Sequence, residues 1–129
     1  MRIRAGTLVI LCLYLLLACR SQSRIVEYVS HGSYLVENAT STVLHIHAVG
    51  LWGPVVLLAD SVLPGTTTEF FQVTEGSGGH LMPSNFLSEL VITQGDRTSP
   101  AVVYNGIRND DWHTPGTVNG RVVYLLKIQ

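Results

Sequence analysis

The sequence predicts an all-β domain, a two-sheet antiparallel sandwich of about seven to eight strands, behind an N-terminal signal peptide. Three observations predict it. Short runs rich in Val, Ile, Thr, Tyr and Phe recur along the chain after Ser23. Gly, Pro and Asn-Gly turn signals separate them. No stretch carries the period of a long amphipathic helix.

Met1–Ala18 comes first. Arg2 and Arg4 open it, an apolar run from Ala5 to Leu17 follows, and Ala18 precedes Cys19. The run falls short of the roughly 20 residues that span a bilayer, so it reads as a cleaved signal peptide. Leu16-Leu17-Ala18-Cys19 looks like the lipobox of a bacterial lipoprotein, which would make Cys19 the palmitate-bearing first residue of the mature chain. Cys12 leaves with the signal, so no internal disulfide can form and the exported domain must hold together by packing. Residues 19–23 form a short tether, and residues 24–129 form the sandwich, a normal size for one core.

The strands follow in order. Ser41–Val49 alternates Val43, His45, His47 and Val49 with Leu44, Ile46 and Ala48, the period of a half-buried strand. Arg121–Ile128 sets Val122, Tyr124, Leu126 and Ile128 against Arg121 and Lys127 in the same way. Less regular runs are Arg24–Val29, Ser33–Glu37, Pro54–Val62, Thr66–Val73, Phe86–Gln94 and Ala101–Asn105. Within Ser84–Val91, Phe86, Leu87, Leu90 and Val91 also fit a short helix. Strand is preferred because Val91-Ile92-Thr93 continues the run and Gly95 closes it. Turns are expected at His31-Gly32, Glu37-Asn38, Leu63-Pro64-Gly65, Gly76–Gly79, Gln94-Gly95-Asp96, Asn105-Gly106 and Asn119-Gly120.

The order of these signals resembles a family. Asn38-Ala39-Thr40-Ser41, Asp60-Ser61-Val62-Leu63-Pro64-Gly65-Thr66, Glu75-Gly76-Ser77-Gly78-Gly79 and Pro83-Ser84-Asn85-Phe86 appear in turn, then Tyr104-Asn105-Gly106 and Asn109-Asp110-Asp111-Trp112. They resemble the small lipoproteins of Bacteroidetes-type bacteria, a largely uncharacterised group. The resemblance implies an immunoglobulin-like sandwich in the cell envelope and carries no catalytic residue to transfer.

Charge narrows the function classes. After the signal, Arg20, Arg24, Arg97, Arg108, Arg121 and Lys127 face nine acidic residues. No basic patch exists to neutralise phosphates, so a nucleic-acid partner is not expected. The positive mean hydropathy comes partly from the signal; membrane attachment is expected through the lipid.

Few residues suggest chemistry. His45 and His47 share one strand face and are the candidate metal pair, but a site needs a third ligand from His80, His113 or a carboxylate. The plainer reading is two polar side chains facing solvent. Asn109-Asp110-Asp111 clusters oxygens without the spacing of an EF-hand loop, and a solvated turn explains it better. Gly76-Ser77-Gly78-Gly79 lacks the Lys-Ser/Thr and the helix of a phosphate loop. No Gly-x-Ser-x-Gly elbow is present. Glu27, Glu37, Glu69 and Glu89 alternate with apolar residues as strand faces do. No catalytic residue and no cofactor is expected.

Two modification signals and two tryptophans complete the reading. Asn38-Ala39-Thr40 is a formal N-glycosylation sequon in what the lipobox marks as a bacterial chain. Asp60-Ser61-Val62 resembles the O-glycosylation motif of exported Bacteroidetes proteins, with Ser61 as the acceptor. Trp52 lies between glycines, where a ring can anchor a ligand, and Trp112 follows two aspartates and can cap the core. Packing over the sandwich is the preferred reading for both. The binding-loop candidates are Trp52, His80, Asp110, Asp111 and Trp112, in the loops Gly50–Pro54, Glu75–Asn85 and Gly106–Gly116.

The expected function is a non-catalytic binding or structural module, lipid-anchored at the outer membrane and facing the periplasm. Its partner would be an envelope protein or a glycan. The alternatives are a metal-binding protein or envelope hydrolase using His45 and His47, and a periplasmic inhibitor or immunity protein.

Overall fold

The computed structural model describes residues 30–75 and 81–129. The expected signal peptide, Cys19, the expected tether and strand Arg24–Val29, the Gly76–Gly79 cluster and His80 lie outside the described residues.

The described residues form a two-sheet β-sandwich, as the sequence predicts, with nine strands. They are β1 (Ser30–Asn38), β2 (Leu44–Gly50), β3 (Gly53–Pro54), β4 (Ser61–Val62), β5 (Thr67–Glu75), β6 (Leu87–Gln94), β7 (Ala101–Asn105), β8 (Trp112–Val118) and β9 (Arg121–Ile128). One sheet has the order β5-β1-β9-β8; the other has the order β3-β2-β6-β7, with β4 also on β2. Single turns of 3-10 helix cover Pro83–Asn85 and Asn109–Asp111. Pairing is antiparallel except between β1 and β9, which run parallel with Tyr34 opposite Tyr124 and Val36 opposite Leu126. β9 takes its direction from the tight hairpin with β8, and its inner side chains then continue the layer that β1 begins.

The core is the space between the sheets. Tyr34, Val36, Leu44, Val62, Phe70, Leu90 and Ile92 are fully buried there. Tyr34 is the hub. Its ring stacks on Tyr124 at 5.2 Å, tilts against Phe71 at 5.4 Å and meets the edge of Trp112 at 6.1 Å. Its hydroxyl donates to the carbonyl of Leu81, which fixes the segment entering β6. Stacked and edge-to-face contacts of this kind add to the area term through the quadrupoles of the rings.

Bulges account for breaks in the alternation. In β5 the pairing shifts so that Tyr34 faces Phe71 while Leu35 faces Glu69, and the extra residue lets Phe70 and Phe71 both turn inward. In β6 the shift falls at Ser88, whose hydroxyl donates to the carbonyls of Val49 and Gly50. Leu87 and Leu90, three apart, therefore both reach the core. The helix-like spacing in Ser84–Val91 is a bulged strand preceded by a 3-10 turn.

Three local expectations are corrected. His31-Gly32 is not a turn but part of β1, paired on both sides. Pro54–Val62 is not one strand: only its two ends pair, with β2, while Leu58 N–H donates to the Phe70 carbonyl at 2.8 Å and crosses to the other sheet. The second half of the expected loop Gly106–Gly116 belongs instead to the edge strand β8, Trp112–Val118. Pro115 is tolerated there because an edge strand leaves one side of its backbone unpaired. The Asn119-Gly120 turn is as expected, with positive φ at both residues (51° and 75°), as a two-residue hairpin turn requires.

The corner from β1 to β2 is held by Asn38, which is fully buried. Its amide nitrogen donates to the carbonyls of Thr42 (2.7 Å) and Val62 (2.9 Å). Its amide oxygen accepts from the backbone N–H (2.9 Å) and the hydroxyl (2.7 Å) of Thr40. Asn38→Ala leaves those buried partners unsatisfied and should destabilise the domain by about 3 kcal/mol, read as a shift of the urea midpoint at unchanged slope. A loss under about 0.5 kcal/mol would show that the corner is held by its backbone alone.

Candidate functional site

One end of the sandwich carries the Leu51–Trp52 turn and the described residues 81–86 of the second candidate loop, and Asn109 of the third reaches them. β2 and β3 are joined by a two-residue turn in which Val49 faces Pro54 and Gly50 faces Gly53. Leu51 and Trp52 are its tip. A Cβ on Gly50 would stand 2.6 Å from the carbonyl oxygen of Gly53, and Gly53 itself has φ +132°, so this closure depends on both glycines. Leu51 N–H donates to the Phe86 carbonyl at 2.9 Å, and the Trp52 ring lies edge-on to Phe86 at 6.3 Å. The 3-10 turn before Phe86 is tied to the third loop. Asn109 Nδ2 donates to Ser84 Oγ at 2.8 Å, and Ser84 N–H donates to Asn109 Oδ1 at 3.2 Å.

Trp52 and Trp112 separate completely. Trp52 is 80 % exposed, which corrects the packed reading; a ring at the tip of a two-residue turn has no core within reach. Trp112 is 6 % exposed, wedged between Phe70 and Tyr34, which removes it from the binding-loop candidates. The 3-10 turn before it points the chain into the sandwich as β8 begins.

The oxygens of Asn109-Asp110-Asp111 do not converge. Asn109 is committed to Ser84, and Asp110 is exposed. Asp111 Oδ2 accepts from Arg108 Nε at 2.7 Å and from the Tyr104 hydroxyl at 3.1 Å. The Arg108 guanidinium also sits over the Tyr104 ring, 5.6 Å from its centre. The bond from Arg108 holds the Asp111 carboxyl below the usual range, and the Tyr104 bond adds to it. Burial, the larger cause, and the neighbouring carboxylate push the Tyr104 phenol up. An ionised carboxylate bonded twice is a strut for this loop and a weak base. Tyr104, Arg108, Asp110, Asp111 and His113 line a shallow groove with Lys127 of β9.

The histidine pair stands apart from this end. His45 and His47 share the outer face of β2, as the alternation predicts, His45 half-buried and His47 exposed. His47 Nε2 approaches Glu89 Oε1 at 3.5 Å, while His45 looks toward Asp60, Thr93 and Arg97. His45 Nδ1 is buried with no hydrogen-bond partner. Among the described residues no three His, Cys, Asp or Glu side chains come together as a metal set. Ser61 lies half-buried in β4, its backbone opposite His45.

Sequence reasoning missed the contact of Phe86 with the Trp52 ring and the Ser84–Asn109 clasp. Pro83 inside a hydrophobic run was the available signal, since it marks the start of a short turn. No family model, no curated protein and no solved structure matches the chain.

The Asp111 strut gives a pH prediction. A carboxyl with a folded pKa below its unfolded one stabilises above the ordinary value of 3.8, and this stabilisation is lost as the pH falls through the depressed value. Asp111→Asn should therefore melt below wild type at neutral pH, with the gap closing once the pH drops under 3.8. Asp96 is shifted the same way by its bonds to Thr98, so the wild-type–variant difference isolates Asp111. A gap independent of pH would mean that the charge on Asp111 is irrelevant to the loop.

Proposed function

We propose that this chain is a lipid-anchored protein of the bacterial cell envelope, held at the outer membrane through Cys19, whose sandwich acts as a non-catalytic binding or structural module. The observation that carries the reading is Leu16-Leu17-Ala18-Cys19 behind a basic start and a short apolar run. The resemblance to Bacteroidetes-type lipoproteins supports the same reading. So does the loop end of the sandwich, where a rigid exposed tryptophan is the kind of anchor that recognition surfaces use. An envelope protein or a glycan is the proposed partner class. A catalytic role has less support, because Asp111 and Tyr104 are committed to holding the loop.

Arg20-Ser21-Gln22-Ser23 carries neither acidic residues that favour export to the surface nor an Asp after Cys19, so the periplasmic side is proposed. Incorporation of a clickable palmitate analogue should occur in wild type and disappear in Cys19→Ala, and protease added to intact cells should leave the labelled protein whole. Label on neither form, or on both, rejects the anchor; label lost on shaving moves the protein to the cell surface.

A further inference from the structure

We propose that the sandwich rests on the lipid surface through the end that carries Trp52, so that the protein lies on its membrane instead of swinging from it. The inference deepens the lipid-anchor reading and rests on it.

The placement of the chain's entry carries the inference. β1 starts at Ser30, opposite Glu75, the last residue of β5. The described residues that follow β5, Leu81–Phe86, lie beside the Leu51–Trp52 tip on the other sheet. From Ser30, β1 climbs to the Asn38 corner, and β2 descends from Leu44 to Gly50. Ser30 and Trp52 therefore lie at the same end. Cys19 is eleven residues before Ser30, a span of at most roughly 40 Å when fully extended. A lipid on Cys19 therefore tethers the domain by the end that carries Trp52.

The chemistry of this end suits a lipid interface. Leu51 (47 % exposed), Trp52 (80 %), Val56 (84 %) and Met82 (42 %) lie on the two neighbouring segments. Residues 51–58 and 81–88 contain no charged side chain. These two segments can therefore meet headgroups and upper acyl chains without stranding an ion, with Arg108 and Asp110 beside the Asn109 clasp left at headgroup level, and a tryptophan ring is at home at that depth. The tether adds Arg20 and Arg24 and no acid before Glu27, which suits anionic headgroups. The opposite end is polar, with Thr40, Ser41 and Thr42 beside Gly95-Asp96-Arg97. The tip is also held in place by the Gly50–Gly53 closure, so little conformational freedom is lost on docking.

The chain's two tryptophans supply the test. Full-length lipidated protein is reconstituted into phosphatidylethanolamine–phosphatidylglycerol vesicles with and without brominated acyl chains, and palmitate labelling is scored on the same preparation. Bromine should quench wild-type emission about two-fold, as expected of a ring at the interface. In Trp52→Phe the remaining emission comes from buried Trp112 and should be quenched little, with circular dichroism unchanged. Label without quenching overturns the docking and leaves the anchor standing. Equal quenching in wild type and Trp52→Phe also overturns it. A concentration-dependent blue shift without bromine quenching assigns the tip to a second copy of the chain. Absence of label removes the anchor reading and the docking with it.

Discussion

The carboxamide of Asn38 is the constraint on which the rest of the structure depends. It has two donor hydrogens and two acceptor positions, and all four are used inside the protein. The backbone of the same residue donates to Thr66 and accepts from Gly65, and Ala39 N–H donates to the Ile128 carbonyl. One residue thus ties the ends of β1, β4 and β9 to the starts of β2 and β5. Aspartate could not donate, and glutamine would place the amide too far from the corner. A glycan would need a buried nitrogen that is already committed, so Asn38-Ala39-Thr40 is an Asx-type turn that happens to spell a sequon.

With the corner fixed, the other end follows. β1 is an inner strand, flanked by β5 and β9, and Tyr34 carries its position into the core through three aromatic neighbours. The Tyr34 hydroxyl reaches Leu81, so the segment leading to Phe86 is fastened from inside. Phe86 in turn receives Leu51 N–H. The loops are therefore placed by the core, and the Ser84–Asn109 clasp joins the third loop to the other two. Surface pairs such as Lys127–Glu37, 3.1 Å apart and open to water, add little to this.

The sequence made the fold legible where burial is one-sided. β2 and β9 alternate cleanly because each has one face on the core, and Asn119-Gly120 announced its hairpin because few other residues accept two positive φ values in succession. Bulges hid the rest. In β5 and β6 an inserted residue resets the phase, so Phe70-Phe71 and Leu87–Leu90 break the period of two without leaving the sheet. β8 was unreadable for another reason: after Trp112 nothing in it is buried, so no alternation exists to be read. The loop cluster was only half legible. Its segments were identified one by one, but the hydrogen bonds that join them link residues tens of positions apart.

The two tryptophans show which of those residues are free to serve function. Each is flanked by turn-forming residues, and sequence alone favours packing over the sandwich for both. Trp112 is gripped by Phe70 and Tyr34, so its ring belongs to the folding energy and any change there is felt across the core. Trp52 has most of its surface in water in the folded state, so folding gains little from it. An exposed indole on a turn that needs two glycines for its shape contributes almost nothing to stability and adds a sticky surface. Stability therefore does not explain the residue, and the proposed membrane contact would. The same separation makes Trp52 a clean handle, because replacing it tests the surface without disturbing the sandwich beneath.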